Sequence, residues 1–236
     1  MSARFEELDW RETPMGAISL RRRLEPTLQV QVHEVLLDDE YLMSSLFTVA
    51  EVALADLGLA AAGGTALDVV VGGLGLGYTA QAALADDRVR SLAVVEALGE
   101  VVDWHERGLL PVSSQLASDA RCRLVRGDFF ALTAGDGPYA PDGPHRHDVV
   151  LVDIDHSPTH HLHPSHASFY EPSGMERVAG RLRPGGVFGL WSDDPPDEAF
   201  VATLEEVFAG VHTHPVDFAN PLTGGTSSNT VYVATT

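Results

Sequence analysis

The sequence contains no lysine and only one cysteine. Its fifteen basic residues are therefore all arginine, and with 34 acidic residues the formal net charge is −19 at pH 7. Nucleic acids and anionic membranes attract proteins through clustered positive charge, so this balance argues against both as partners. It is compatible with a cationic small-molecule substrate, although an acidic surface is also a common solubility feature.

Two further absences concern the cellular compartment. A single cysteine, Cys122, cannot form an intramolecular disulfide, which suits a reducing environment. No apolar run reaches the roughly 18 residues that a membrane span requires, and residues 1–10 lack the apolar centre of a signal peptide. We therefore expect a cytoplasmic protein, and 236 residues suit one core with a small appendage.

The most informative segment covers residues 66–83, ALDVVVGGLGLGYTAQAA. The β-branched run of residues 67–71 predicts a buried strand, and residues 78–83 predict the start of a helix. Glycine-rich turns between a strand and a helix let the backbone approach a nucleotide closely. The candidate ligand-binding glycines are Gly73, Gly75 and Gly77. Because turns of this kind without a ligand are also common, these glycines predict a ligand site only together with a second signal.

Acidic residues at two later strand ends supply that signal. Glu96 ends the next apolar run and lies 19 positions after Gly77, close to the spacing of a ribose-binding carboxylate. Asp128 and Phe129 follow the strand predicted at residues 122–125, where they could bind and cover an adenine ring. Each residue alone is more simply a loop or core residue, but their common register favours a nucleoside site.

Candidate catalytic residues follow the fourth predicted strand, residues 148–152. Ligands of open α/β sheets bind at the carboxyl ends of the strands, which directs Asp153 toward the reaction centre. Asp155 would point the same way if the strand continued, and His156 comes next. Tyr170 lies beyond the loop that follows.

Seven of the eleven histidines fall between residues 145 and 166, and two readings stay open for them. One is a metal site, and the other is a polar loop of biased composition. A separate pair, Asp193 and Asp194, follows the fifth predicted strand at the same edge.

The ends of the chain predict simpler structure. Residues 1–15 appear irregular, and the alternating pattern of residues 16–37 predicts a β-hairpin. Its run Arg21–Arg23 fits a solvated strand edge better than an anion site. Apolar residues at helical spacing predict a helix over about residues 41–57, preceded by the acidic residues 38–40, and residues 212–218 and 230–234 predict two closing strands.

Several segments together resemble the class I S-adenosylmethionine-dependent methyltransferase superfamily, and more closely its spermidine synthase-like (polyamine aminopropyltransferase-like) branch. They are VVVGGLGLGYTA, VVE at 94–96, GDFF at 127–130, DVVLVD at 148–153, SFYE at 168–171 and LRPGGVFGLWS at 182–192. The resemblance implies an α/β fold with a Rossmann-like seven-stranded sheet. It divides the chain into a short N-terminal β-hairpin appendage, residues 1–40, and a transferase domain, residues 41–236. It also implies a homodimer.

The resemblance further implies S-adenosylmethionine, or its decarboxylated form, as the group donor. The residues expected to bind it are Gly73, Gly75, Gly77, Glu96, Asp128 and Phe129. In the same way Asp153 is implied as the base or the substrate anchor, with Asp155, His156 and Tyr170 beside it.

Two departures from spermidine synthases bear on which group is transferred. Their glycine turn contains an aspartate that binds the aminopropyl ammonium, where this chain has Gly75, and their Asp-Pro after strand four is replaced by Asp155-His156. The segments GYT and DIDH instead resemble metal-dependent O-methyltransferases, with Asp153 and Asp193 on Mg²⁺. Methyl transfer to a small-molecule oxygen or nitrogen nucleophile is therefore the main expectation. Aminopropyl transfer to a polyamine and a non-catalytic nucleoside-binding protein are the alternatives.

Overall fold

The N-terminal region forms a small antiparallel sheet of its own. The structure, a computed structural model, describes residues 5–38 and 40–236. Within them four strands pair in chain order: β1 (Phe5–Thr13), β2 (Gly16–Glu25), β3 (Val30–Leu37) and β4 (Glu40–Ser44). The predicted hairpin corresponds to β2 and β3. The irregular structure predicted for residues 1–15 is wrong over residues 5–13, because β1 pairs with β2 along most of its length, and residues 1–4 lie outside the described residues.

The helix predicted over about residues 41–57 begins later than expected. Residues 40–44 instead form β4, which extends the sheet four residues beyond the predicted appendage, and helix α1 covers Val49–Ala61. The run Arg21–Arg23 lies on the inner strand β2 rather than at an edge. Arg21 and Arg23 both pair with the buried Glu34.

The rest of the chain forms the predicted seven-stranded sheet. Its strands are β5 (Leu67–Gly72), β6 (Val89–Glu96), β7 (Cys122–Arg126), β8 (His147–Val152), β9 (Leu182–Ser192), β10 (Gly210–Asn220) and β11 (Gly225–Thr235). Their order across the sheet is β10-β11-β9-β8-β5-β6-β7. The strands from β5 to β9 run parallel, and β11 joins β9 in antiparallel fashion. The expected α/β fold is confirmed.

Helices cover both faces of this sheet. They are α2 (Tyr78–Ala85), α3 (Gly99–Glu106), α4 (Ser113–Ser118), α5 (Phe129–Ala134), α6 (Pro172–Arg181) and α7 (Glu198–Val207), with a 3₁₀ helix at Pro164–Phe169. Alternate residues of each strand face opposite layers, so Val69 and Val71 join one core while Val70 joins the other. Among residues 5–38 and 40–236, no helix is long and apolar enough to cross a membrane.

The small sheet is fixed to the helix that follows β6. Asp9 of β1 accepts hydrogen bonds from Trp104 Nε1 at 2.7 Å and from Arg107 Nη1 at 2.9 Å. Arg11 pairs with Asp103 at 2.5 Å, and Trp104 is completely buried. These contacts join the N-terminal sheet to α3, so that β4 lies beside the glycine-rich turn.

The strand order reverses between β5 and β8, where ligands of open α/β sheets bind. The chain is tightest at Gly73, which follows β5 with φ +91°. A Cβ built on Gly73 would overlap the backbone carbonyl oxygen of Asp153. Only glycine fits this position, because both the backbone conformation and the close approach exclude a side chain.

We therefore predict that Gly73→Ala destabilises the fold by at least about 2 kcal/mol, since left-handed strain and overpacking add there. Denaturant unfolding of the ligand-free protein measures the loss. Gly63→Ala is the matched control, because a Cβ at Gly63 meets no atom within 4 Å. Equal stability of the two variants would contradict the prediction.

Candidate active site

A cavity of about 870 Å³ opens at the carboxyl ends of the parallel strands. The glycine turn, the ends of β6, β8 and β9, and the outer part of the β10–β11 hairpin surround it. Much of its wall is apolar, contributed by Met43, Phe47, Leu98, Phe130, Trp191 and Phe218. Its size and its apolar wall with a few polar groups are typical of a small-molecule site.

Glu96 holds the glycine turn in place. Its carboxylate accepts hydrogen bonds from the backbone N–H groups of Leu74 at 3.0 Å, Gly75 at 3.4 Å and Leu98 at 2.8 Å. Burial raises the pKa of Glu96, and the backbone donors oppose that rise. A carboxylate has about four acceptor sites, so this residue, which lines the cavity, retains capacity for a ligand hydroxyl.

The other two glycines of the turn, Gly75 and Gly77, contact side chains of α3 and of the segment before α4. The His105 ring donates from Nε2 to the Gly75 carbonyl oxygen at 2.9 Å, and burial lowers the pKa of His105. A Cβ on Gly77 would lie 2.6 Å from Val112 Cγ2. The structure thus brings all three predicted glycines to the cavity wall, in left-handed conformations that favour glycine.

Asp128 and its neighbours form the next part of the wall. Asp128 caps α5 by accepting a hydrogen bond from Ala131 N at 3.1 Å, and it also lines the cavity. Phe129 is buried and stacks on Tyr139 with ring centroids 5.4 Å apart. The accessible aromatic ring is therefore that of Phe130, which sequence reasoning missed because adjacent helical residues point in different directions.

Asp153 lies opposite the glycine turn, as predicted. Its backbone N–H donates to the Gly72 carbonyl at 2.9 Å, and its Oδ2 accepts a hydrogen bond from Thr79 Oγ1 at 2.7 Å. Burial raises the pKa of Asp153 to about 6, against the opposing effect of Thr79. A carboxyl group with a pKa near the working pH can both take and release a proton.

Glu51 is a cavity residue that the sequence interpretation missed. It lies in the first turn of α1 and lines the cavity with Asp153 and Asp193. Burial raises the pKa of Glu51 to about 8, and the nearby charges of Asp153 and Asp193 add to the rise. An acidic residue in a first helical turn is a recognisable signal, but the predicted helix began several residues too early to reveal it.

The acidic residues of this wall have no ion-pair partner among the described residues, although His156, His163 and His166 also line the cavity. Among residues 5–38 and 40–236, no arginine or histidine pairs with Glu51, Asp153 or Asp193 within 4.0 Å. No arginine of this described part of the chain lines the cavity. The cavity is therefore suited to a positively charged ligand.

Two predicted catalytic residues lie outside the cavity. Asp155 is buried and accepts hydrogen bonds from Leu162 N at 2.7 Å, His166 Nδ1 at 2.9 Å and the Tyr170 hydroxyl at 2.9 Å. Burial and the charge of Asp155 raise the pKa of Tyr170 well above its usual value. Placing Asp155 and Tyr170 in the reaction centre was wrong, because β8 ends at Val152 and the chain then turns away.

His156 and Asp193 do line the cavity, and they are connected to each other. The Asp193 backbone N–H donates to the His156 carbonyl at 2.7 Å. Asp193 Oδ1 accepts a hydrogen bond from Asn229 Nδ2 at 2.6 Å, which ties the end of β9 to β11. These contacts leave Asp193 exposed at the cavity mouth.

The structure gives no support to a metal site. Within the described residues, no group of three or more His, Cys, Asp and Glu side chains is arranged to hold a metal ion. The histidines of the loop instead make local bonds, such as His161 Nε2 to the Pro158 carbonyl at 2.7 Å and His163 Nδ1 to Ser165 Oγ at 2.7 Å. The clustering of histidines in this loop therefore reflects local structure rather than ligation.

Comparisons with known proteins place this geometry in context. No protein-family model matches the chain. Polyamine aminopropyltransferase 2 of Pseudomonas aeruginosa is 31% identical over 157 residues, which is 62% of this chain and 41% of that protein. The chain thus spans about two-fifths of the length of this relative.

Solved structures match over nearly the whole chain. A spermidine synthase in complex with the transition-state analogue AdoDATO has a TM-score of 0.74 and 16% identity, over 97% of this chain and 73% of that one. Spermidine synthase from Thermotoga maritima has a TM-score of 0.73 and 16% identity, over 97% and 72%. The chain has the spermidine synthase-like fold. The resemblance seen in the sequence is confirmed.

In this spermidine synthase-like fold we expect Asp155 to act on stability. Asp155→Asn replaces an acceptor oxygen by an NH₂ group and should cost about 1–3 kcal/mol, the penalty of a buried group left without its partner. Thermal unfolding measures the loss, with the exposed Asp136→Asn as control. If the Asp155→Asn variant kept its stability but lost nucleoside binding, Asp155 would instead be a residue of the ligand site.

The raised pKa of Glu51 has a stability consequence with a definite sign. The fold favours the uncharged form of Glu51. Its contribution to the free energy of unfolding is therefore fully present below the unfolded-state pKa of about 4.5, and it is lost as the pH rises through the folded-state pKa of about 8. Glu51→Gln should therefore raise the melting temperature relative to the wild type at pH 9, and less so at pH 5. Asp56→Asn, exposed on the same helix, is the control, and a pH-independent difference would contradict the assignment.

Proposed function

We propose that the chain is an aminopropyltransferase, which moves the aminopropyl group of decarboxylated S-adenosylmethionine to an amine of a cationic polyamine. The observation that carries this proposal is the cavity wall of Glu51, Asp153 and Asp193, for which the described residues provide no ion-pair partner. Burial disfavours the charged forms of Glu51 and Asp153, so the wall favours a ligand that brings its own positive charge. Both the donor and the acceptor of this reaction are cationic.

The comparisons favour this reaction over methyl transfer, which was the main expectation from sequence. The sequence relative is by name a polyamine aminopropyltransferase, and the matching folds are spermidine synthases. The metal-dependent O-methyltransferase alternative also loses its support, because the described residues hold no metal-ligand group. Aminopropyl transfer needs no metal ion, since the sulfonium already activates the carbon.

The nucleoside half of the donor fits the inner part of the cavity. The free acceptor capacity of Glu96 suits a ribose hydroxyl, and Asp128 with Phe130 suits an adenine ring. The glycine turn allows the sugar to lie against its backbone. The sulfonium then points toward Asp153, on the opposite side of the turn.

Asp153 is positioned to prepare the acceptor. Its carboxylate, held by Thr79, takes a proton from the acceptor ammonium, and the neutral amine attacks the aminopropyl carbon bonded to sulfur. A C–N bond forms, the C–S bond breaks with its electron pair going to sulfur, and methylthioadenosine leaves. The proton on Asp153 then passes to water. Exposed Asp193 suits a second ammonium of the acceptor, with His156 beside it.

Product analysis tests the proposal directly. Purified protein is incubated with decarboxylated S-adenosylmethionine and a diamine, and in parallel with S-adenosylmethionine. Mass spectrometry of methylthioadenosine together with a lengthened polyamine supports aminopropyl transfer. S-adenosylhomocysteine would instead support methyl transfer, and tight binding without any product would support a nucleoside-binding protein.

We expect Asp153→Asn to lower kcat by about 10²–10⁴-fold, the usual contribution of a positioned proton acceptor. Nucleoside affinity should change little, because the asparagine keeps the shape of the side chain and the hydrogen bond to Thr79. Steady-state rates and calorimetry on the same preparations separate the two effects. The control is Asp194→Asn, whose side chain is exposed at the same strand end, and full activity of a folded Asp153→Asn variant would exclude a catalytic role.

A homodimer and a cytoplasmic location stay predictions. The exposed aromatic residues Phe5, Trp10 and Tyr41 on the N-terminal sheet support association of two chains through this surface.

A further inference from the structure

The glycine turn carries no acidic side chain at position 75, and a side chain added there would press on Met43. Gly75 has φ +47°, and a Cβ there would lie 3.2 Å from the Met43 sulfur and 3.8 Å from its methyl carbon. Strand β4 brings Met43 into this space. In the resembling family an aspartate of this turn binds the aminopropyl ammonium, so this chain needs another carboxylate for that group.

Other carboxylates near the turn already have partners. Glu96 accepts three backbone hydrogen bonds, and Asp128 caps the first turn of α5. Asp153 bonds to Thr79 and faces the position of the attacking amine. Because these three carboxylates are engaged by other groups, none of them is assigned to the ammonium group of the donor.

Glu51 lies at the right place to supply one. Tyr78, the residue directly after the glycine turn, hydrogen-bonds with Ser45, and its pKa is raised by burial and by the charge of Glu51. Glu51 also feels the charges of Asp153 and Asp193 across the cavity. Glu51 lines the same cavity as Gly77 and Tyr78, at the end of the turn, and as Asp153 at the reaction centre.

The environment of Glu51 calls for a cation. Among residues 5–38 and 40–236 no basic side chain pairs with it, and the cavity-lining residues include no arginine. A carboxylate that is buried without a cation is disfavoured in its charged form, and a bound ammonium reverses this penalty. A role for Glu51 in binding a cationic ligand therefore accounts for its environment better than a role in stabilising the fold.

We infer that Glu51 binds the ammonium group of the aminopropyl donor, in place of the carboxylate that the glycine turn lacks. This inference rests on the proposed aminopropyl transfer. It assigns separate tasks to the cavity carboxylates: Glu51 holds the donor and Asp153 deprotonates the acceptor. Glu51 also disfavours intact S-adenosylmethionine, whose own carboxylate would face an acidic wall.

The test compares two ligands that differ in the ammonium. Methylthioadenosine contains the same nucleoside as decarboxylated S-adenosylmethionine but has no aminopropyl ammonium. Glu51→Gln should weaken binding of the decarboxylated donor by about 10- to 100-fold, the range of a hydrogen bond to a charged group. Binding of methylthioadenosine and the KM of the acceptor should stay within about twofold of the wild type.

Asp56→Asn is the matched control, because it removes one negative charge from the exposed side of the same helix. It should leave the affinities for both nucleosides unchanged. A carboxylate can also be placed back in the turn, with space made for it, by Gly75→Asp and Met43→Ala in the Glu51→Gln protein. Aspartate tolerates the left-handed conformation, so a folded triple variant should recover affinity for the donor.

Three results would overturn the inference while leaving aminopropyl transfer intact. They are equal weakening of both nucleosides, a rise confined to the KM of the acceptor, and a folded triple variant that recovers no affinity. A wild-type protein that neither binds nor consumes the decarboxylated donor would overturn the proposed function together with the inference. The wild-type and variant measurements therefore distinguish the two failures.

Discussion

The site depends on how closely three parallel strand ends approach one another. Backbone hydrogen bonds join them in series, from Gly73 N to the Val95 carbonyl and from Asp153 N to the Gly72 carbonyl, each at 2.9 Å. Only a glycine at position 73 allows this approach. As a result Glu96, at the end of β6, and Asp153, just after β8, line the same cavity on either side of β5.

The two edges of the same sheet treat their acidic residues in opposite ways. At the amino edge Asp68 accepts hydrogen bonds from Arg90, Ser91 and Arg183, which outweigh burial and hold its pKa well below the usual range. At the carboxyl edge burial raises the pKa of Asp153, and no arginine of the described part of the chain lines the cavity beside it. Carboxylates with arginine partners stabilise the fold, and those without partners are available to a cationic ligand.

Sequence patterns predicted what depends on local chain geometry. The glycine turn, Glu96 and the individual parallel strands follow from spacing and from the period of apolar residues, and in the structure the turn and Glu96 lie at strand ends on the cavity wall. Strand β1 was missed because a polar, charged segment becomes a strand here only by pairing with β2. Strand β4 was missed because Leu42 fits the helical spacing of Leu46 and Val49, although residues 40–44 pair with β3. That error displaced the start of α1, and Glu51 went unrecognised as a result.

Asp153 and Asp155 show where the pattern stops being informative. Strand alternation would place both carboxylates on one face, yet the strand ends at Val152 and the next residues bend. Asp155 then becomes the buried acceptor that orders the histidine-containing loop, through His166 and the Tyr170 hydroxyl. Two identical side chains two positions apart therefore differ in what they can do. One is saturated by protein donors, and the other retains a charge that only a ligand can compensate.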